Sequence, residues 1–185
     1  MNANQSITVI MPAYNAEQTL LQSALSVIKQ TTENIELIII NDGSSDNTQT
    51  IIDDLHAQFP QQITAISGPN NGVSHARNLG IKQARYSWIA FCDADDIWYP
   101  DKLTKQLALT KDHNWSYTDS FYVGAAFPTP ITRSAQSTLL DGFIYNELLQ
   151  ENFLTTSSIL IKKELLTAQG GFDEQLAALE DWDLW

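Results

Sequence analysis

Trp88-Ile89-Ala90-Phe91-Cys92-Asp93-Ala94-Asp95-Asp96 is an apolar run that passes directly into three carboxylates. A nearly continuous apolar run is what a strand covered on both faces requires. The carboxylates then mark the carboxyl end of that strand, where they repel one another unless water or a cation neutralises them. Hard carboxylate oxygens suit Mg²⁺ or Mn²⁺, which in turn carry the phosphates of a nucleotide. A solvated acidic turn is the plainer alternative.

Three further β-rich runs precede this one, at residues 7–11, 35–40 and 63–67, and the fourth spans 87–92. Helical periodicity fills the gaps. Residues 17–30 space Leu20, Leu21, Ala24, Leu25 and Ile28 along one face, and 48–59 do the same with Ile51, Ile52, Leu55 and Phe59. Short oxygen side chains at 44–46 offer caps for the second helix. A third helix, 73–84, follows the turn residues Gly68, Pro69, Asn70, Asn71 and Gly72. This alternation predicts an α/β fold, Rossmann-like, with a mostly parallel sheet flanked by helices. Ligands of such sheets bind beyond the carboxyl ends of the strands.

Each strand end carries a group suited to a nucleotide. Pro12-Ala13-Tyr14-Asn15 presents an aromatic face on which a base can stack. Asn41-Asp42-Gly43-Ser44 presents a carboxylate able to bond a base edge or ribose hydroxyl, or else an Asx turn capping the next helix. On the third helix Arg77 offers a charged fork for a diphosphate, although a lone arginine is commonly a surface residue. The order decides the matter, since aromatic, carboxylate, arginine and acidic cluster succeed one another as one crevice requires.

Beyond Asp96 the reading is a helix at 101–110, a strand at 115–123 and a proline-containing loop at 124–138. A helix at 141–150, a strand at 157–161 and a short helix at 162–168 follow, the last ending near Gly170 and Gly171. No repeat or linker interrupts the chain, so one domain over 1–185 is expected. Thr155-Thr156-Ser157-Ser158 offers hydroxyls to a ligand or simply opens a strand. Cys92 is expected to be an inert core residue. Trp88, Trp98 and Trp115 are read as packing groups. His56, His75 and His113 are too dispersed for a zinc site.

Composition narrows the partners. Ten basic residues against 22 acidic ones leave a formal charge of −12 with no basic cluster, so nucleic acid is not an expected partner. A single cysteine permits no internal disulfide, which fits a reducing compartment. Residues 1–6 are polar and lack a signal-peptide pattern, and no stretch approaches the length of a membrane span. The cytoplasm is the expected location.

These motifs together resemble family 2 GT-A glycosyltransferases, including bacterial enzymes of lipopolysaccharide, capsule and other surface polysaccharide synthesis. The resemblance runs from Val9-Ile10-Met11-Pro12-Ala13-Tyr14-Asn15 through Ile40-Asn41-Asp42-Gly43-Ser44-Ser45-Asp46 and Asn71-Gly72-Val73-Ser74-His75-Ala76-Arg77-Asn78. It continues through Phe91-Cys92-Asp93-Ala94-Asp95-Asp96 to Leu179-Glu180-Asp181-Trp182. It implies an inverting, metal-dependent transfer of sugar from a nucleoside diphosphate sugar, UDP-linked, to an acceptor hydroxyl. Pro12, Tyr14, Asp42, Arg77 and Asp93 would then bind the nucleotide, Asp95 and Asp93 a Mn²⁺ or Mg²⁺ ion, and Asp181 would be the catalytic base. Asp96 would be structural or stand behind the metal ligands.

The resemblance also implies a nucleotide-binding part at 1–96 and an acceptor and catalytic part at 97–185, incomplete at the C-terminus. Trp182, Leu184 and Trp185 are then expected on a fraying end. The acceptor would be a saccharide or lipid-linked, with peripheral association at the inner face of a membrane and self-association left open. Two other readings stand beside it: a nucleotide-sugar-binding module without transfer, and a sugar nucleotidyltransferase. The latter lacks a glycine-rich basic loop near residue 12.

Overall fold

The computed structural model describes residues 6–32, 34–110, 112–124 and 126–185. Of the polar start read at 1–6, only Ser6 lies within the described residues. Four parallel strands form the centre: β1 (Ile7–Ala13), β2 (Ile35–Asp42), β3 (Ile63–Gly68) and β4 (Trp88–Phe91). Two short strands complete the sheet, β5 (Trp115–Ser116) and β8 (Leu160–Lys162), with β8 antiparallel to both β4 and β5. The order is β3-β2-β1-β4-β8-β5, a mostly parallel sheet as the sequence predicts.

Alternation along the strands builds a core on each face. Ile7, Val9, Met11, Leu37, Ile39, Trp88 and Ala90 share one cluster, whereas Ile10, Ile38, Ile40, Ile89 and Phe91 share the other. That is the two-residue period of a strand buried on both sides. Helix α1 (Leu20–Ile28) buries Leu20, Ser23, Ala24 and Val27 at helical spacing, and α2 (Thr48–Gln58) buries Thr48, Ile52 and Leu55. Helix α3 (Val73–Gln83) covers the opposite face. It approaches closely because Gly80 has no side chain: a Cβ there would stand 2.5 Å from Ile10 Cγ2. Helix α4 (Lys102–Leu109) buries Lys102, Leu103 and Gln106.

The second half departs from expectation in four places. The strand expected at 115–123 is broken: β5 stops at Ser116 and β6 (Phe121–Gly124) belongs to a separate hairpin. Between them the Asp119 carboxylate takes the Ser120 N–H, which a ladder would have used, and binds the Ser134 N–H of the turn after β7. The segment expected as a loop at 124–138 contains the hairpin partner β7 (Phe127–Thr132). Pro128 and Pro130 lack N–H donors and so read as loop, yet a two-stranded ribbon tolerates them. The helix expected at 141–150 shrinks to α5 (Tyr145–Leu148), because Gly142 adopts a left-handed φ of 77° ahead of it. The strand expected at 157–161 begins only at Leu160, preceded by a 3-10 turn at Thr156–Ser158. There the Ser158 hydroxyl donates to Thr155 O at 2.6 Å, a local bond that competes with a ladder.

The C-terminal end differs too. After α6 (Lys163–Ala168), α7 (Glu180–Leu184) is short but packed rather than frayed. Trp182 Nε1 donates to Leu148 O at 2.6 Å, and the Trp185 ring lies 5.8 Å from Phe172 and 6.1 Å from Phe91. A helix this short has no stability of its own, so these tertiary contacts hold it. Among the described residues, no helix is long and apolar enough to cross a membrane.

Candidate functional site

Strand β1 is flanked by β2 on one side and β4 on the other, so the sheet changes direction of winding there. Loops leaving such a point diverge and open a crevice beyond the carboxyl ends of the strands. A crevice of about 430 Å³ occupies that place, and Pro12, Tyr14, Asp42, Arg77, Asp93 and Asp95 all line it. Every nucleotide- and metal-binding candidate read from the sequence is therefore at one site.

The rim is laced by short polar side chains. Asn15, with φ 47°, donates its N–H to Ser44 Oγ at 3.0 Å, and its Oδ1 accepts from Ser45 N at 2.8 Å. Ala16 N donates to Thr48 Oγ1 at 2.8 Å. The Glu17 carboxylate accepts from Asn47 N at 3.0 Å, and that N–H holds its carboxyl below the usual range. These bonds tie the loops after β1 and β2 together and leave the Tyr14 ring 54% exposed beside the crevice.

Asp42 does not cap its own helix. Its Oδ1 accepts from Asn71 N at 2.8 Å and its Oδ2 from Gly72 N at 2.9 Å, so it fixes the segment leading into α3. Each oxygen retains a lone pair for a ligand. Gly43 makes the turn possible, with φ 73° and Asn70 N only 2.6 Å from where a Cβ would be.

Arg77 is 4% exposed, which rules out the surface-arginine reading. Its Nη1 donates to Glu180 Oε1 at 2.7 Å and its Nη2 to Asp93 Oδ1 at 3.0 Å, with the guanidinium 5.2 Å from the Phe172 ring centre. The fork therefore joins the acids after β4 to the acids of α7, and its buried Nε has no partner among the described residues. Asp93 N donates to Ser157 Oγ at 2.9 Å. Asp95 is exposed. Burial pushes the half-buried Asp96 carboxyl up, and the charges of Asp93 and Asp95 add to this against the Ser157 hydroxyl.

Asp181 is not among the residues lining the crevice. Its neighbour Glu180 ties it there through Arg77. Asp181 Oδ2 accepts from Thr156 Oγ1 at 3.1 Å and Asn152 Nδ2 at 3.5 Å, and Oδ1 accepts from Trp182 N at 2.8 Å. Leu179 precedes the pair in the left-handed region, φ 64°, an uncommon place for a bulky residue.

No three His, Cys, Asp or Glu side chains gather as a metal site among the described residues. The donors present still fit Mn²⁺ or Mg²⁺. Such ions commonly take one or two carboxylates and complete their shell with water and substrate phosphate. Asp95 is free at the lip, and Asp93 gives Arg77 only Oδ1.

Sequence reasoning missed three features. The Thr156 and Ser157 hydroxyls hold the two acidic segments, at Asp181 and Asp93. Phe172 lies under Arg77. Lys102 is buried, donating from Nζ to Gln106 Oε1 at 2.7 Å and lying 4.0 Å from the Trp98 ring centre. Burial pulls its ammonium down to about 7. Only the four-residue spacing of Lys102 and Gln106 hinted at the pair. Cys92 is fully buried as expected, its thiol pushed up by burial and by the charges of Asp96 and Asp93.

Comparison with known proteins adds the following. The family model described as Glycosyl transferase family 2 matches residues 8–166. The chain is 31% identical to UDP-Glc:alpha-D-GlcNAc-diphosphoundecaprenol beta-1,3-glucosyltransferase WfgD of Escherichia coli, over 97% of this chain and 68% of that protein. Its fold is similar to that of S. aureus TarS crystallised with UDP, with a TM-score of 0.76 at 22% identity, covering 97% of this chain and 53% of that one. It is also similar to the mannosyltransferase PcManGT of Pyrobaculum calidifontis in complex with GDP-Man and Mn²⁺, with a TM-score of 0.70 at 20% identity over 96% and 50%. The chain spans between 26% and 68% of the length of curated relatives that it matches.

Proposed function

The chain belongs to glycosyl transferase family 2, and on that premise we propose that it moves a sugar from a nucleoside diphosphate sugar, UDP-linked, to an acceptor hydroxyl with inversion. The observation that carries this reading is the convergence of Pro12, Tyr14, Asp42, Arg77, Asp93 and Asp95 on one crevice at the carboxyl ends of β1, β2 and β4. The half-exposed Tyr14 ring stacks on the base, and the spare lone pairs of Asp42 meet its edge. Pro12 shapes the floor beside them. Arg77 and the α3 start border the diphosphate, and Asp93 faces the ribose. Asp95, with Asp93, holds Mn²⁺ or Mg²⁺, which when bound offsets the charge that develops on the leaving diphosphate.

Asp181 takes the proton of the incoming acceptor hydroxyl. A carboxylate across the sugar from the leaving group gives a single displacement, hence inversion. Residues 1–96 are the donor part of this scheme and 97–185 the acceptor and catalytic part. The acceptor is a saccharide or a lipid-linked sugar, as the printed name of the Escherichia coli relative describes for that enzyme. A lipid-linked acceptor brings the site to the inner face of a membrane, where surface polysaccharide precursors are built.

Product detection tests the reading. Incubated with UDP-sugars, Mn²⁺ and a saccharide acceptor, the protein should release UDP as it glycosylates. Asp181→Asn should keep donor binding and lose most transfer, because a base acts in the transition state. Pyrophosphate release would point instead to nucleotidyl transfer, and binding without any product to a donor-binding module.

A further inference from the structure

We propose that the buried turn Thr156–Ser158 sets the distance and orientation between the donor-side and acceptor-side acids, with Thr156 as the positioning residue for Asp181. The inference rests on the assignment of Asp181 as the base. Two adjacent residues of this turn reach in two directions. Ser157 Oγ accepts the N–H of Asp93 at 2.9 Å, and Thr156 Oγ1 donates to Asp181 Oδ2 at 3.1 Å. One side is the end of β4; the other is α7, which among the described residues has no backbone hydrogen bond to the sheet.

The turn itself is held from the core. Trp98 Nε1 donates to Ser157 O at 3.0 Å, and Gln106 Nε2 donates to Ser158 O at 2.9 Å. All three hydroxyl residues are at most 6% exposed. A buried hydroxyl is unfavourable unless it is hydrogen-bonded, so a run of three buried ones signals that their bonds are needed.

Arg77 also spans the two acidic segments, but through Asp93 and Glu180, and it makes no contact with Asp181. The Trp182 N–H holds Asp181 Oδ1 at 2.8 Å, and Thr156 holds the other oxygen, Oδ2, which sets the twist of the carboxylate. Without Thr156, Asp181 Oδ2 keeps only the long 3.5 Å contact from Asn152. A base displaced by a fraction of an ångström loses rate without loss of donor affinity.

The test is a cycle of four proteins: wild type, Thr156→Val, Asp181→Asn and the double variant, with Thr156→Ser as rescue. Thr156→Val should lower kcat for transfer by about tenfold or more while donor KM stays within about twofold. Thr156→Ser should recover most of kcat. In the Asp181→Asn background Thr156→Val should change nothing further, the coupling expected of residues that act as a unit. Thr156→Ala replaces valine in the cycle if the valine variant melts well below wild type.

A wild-type kcat in Thr156→Val, or a full and additive loss in the Asp181→Asn background, overturns this inference alone. Wild-type transfer by Asp181→Asn overturns the base assignment and the inference with it.

Discussion

Replacing Arg77 by methionine removes one cation from between two carboxylates and keeps the apolar stem. The guanidinium side chain is 5% exposed, and its partners Asp93 and Glu180 are 33% and 15% exposed. Breaking a fully buried pair by removing one partner costs about 3–5 kcal/mol. Here both carboxylates reach some solvent, which screens them and brings the loss down to about 2–3 kcal/mol. Methionine also deletes the unpartnered Nε, which returns roughly 1 kcal/mol. A net loss of about 1–2 kcal/mol lowers Tm by about 2–8 °C for a chain of this size. Urea and thermal denaturation of Arg77→Met measure it directly. Adding Glu180→Gln removes one of the stranded charges and should restore about half of the loss. If Arg77→Met lies within about 0.5 kcal/mol of wild type, the guanidinium is not holding the two acidic segments together.

Two further outcomes follow from named contacts. Because burial pulls Lys102 down to about 7 while an unfolded lysine keeps its proton to about 10.4, the unfolded state binds the extra proton between those values. Stability should thus rise with pH across that window and carry the full penalty of a buried charge below it. Lys102→Met should flatten this rise by more than about 1 kcal/mol between pH 6 and pH 9 in urea midpoints, and equal slopes would mean the ammonium is effectively solvated. Gly43→Ala forces a Cβ against Asn70 N at 2.6 Å in a left-handed turn. It should destabilise by roughly 2 kcal/mol and weaken nucleotide binding, by loosening the Asn71 and Gly72 bonds to Asp42. An unchanged Tm would show that the 70–72 segment gives way freely.

The sequence was most legible where one physical rule governed each residue. In β1, β2 and β4 burial on both faces demands apolar runs, and the ends of those runs must point into the crevice. Tyr14, Asp42 and Asp93 were therefore placed by position in the run, without any contact being known. Legibility failed where local chemistry competes with the strand pattern. Pro128 and Pro130 mask β7, and Asp119 ends the strand expected at 115–123 by taking the Ser120 N–H. The hydroxyls of 156–158 serve a turn instead of a ladder, and the partners of Thr156 and Ser157 lie far away in sequence at Asp181 and Asp93. Arg77 and Lys102 were opaque for a related reason. Whether a cation is buried depends on acids, rings and amides from other elements, and no periodicity encodes them. The aromatic residues of the last helix were expected to fray, because a five-residue segment has no helix stability of its own. Phe91, Phe172 and the Leu148 carbonyl supply what local sequence cannot.

The central claim is that one crevice takes a nucleoside diphosphate and holds it through a divalent cation on Asp95 and Asp93. Calorimetric titration of UDP into the wild-type protein and into Asp95→Ala, each with Mn²⁺ and with chelator, tests it most directly. Saturable binding to the wild type with Mn²⁺, weakened at least about tenfold by chelator or by Asp95→Ala, is the predicted result. Equal affinity under all four conditions, or no binding in any, would contradict it.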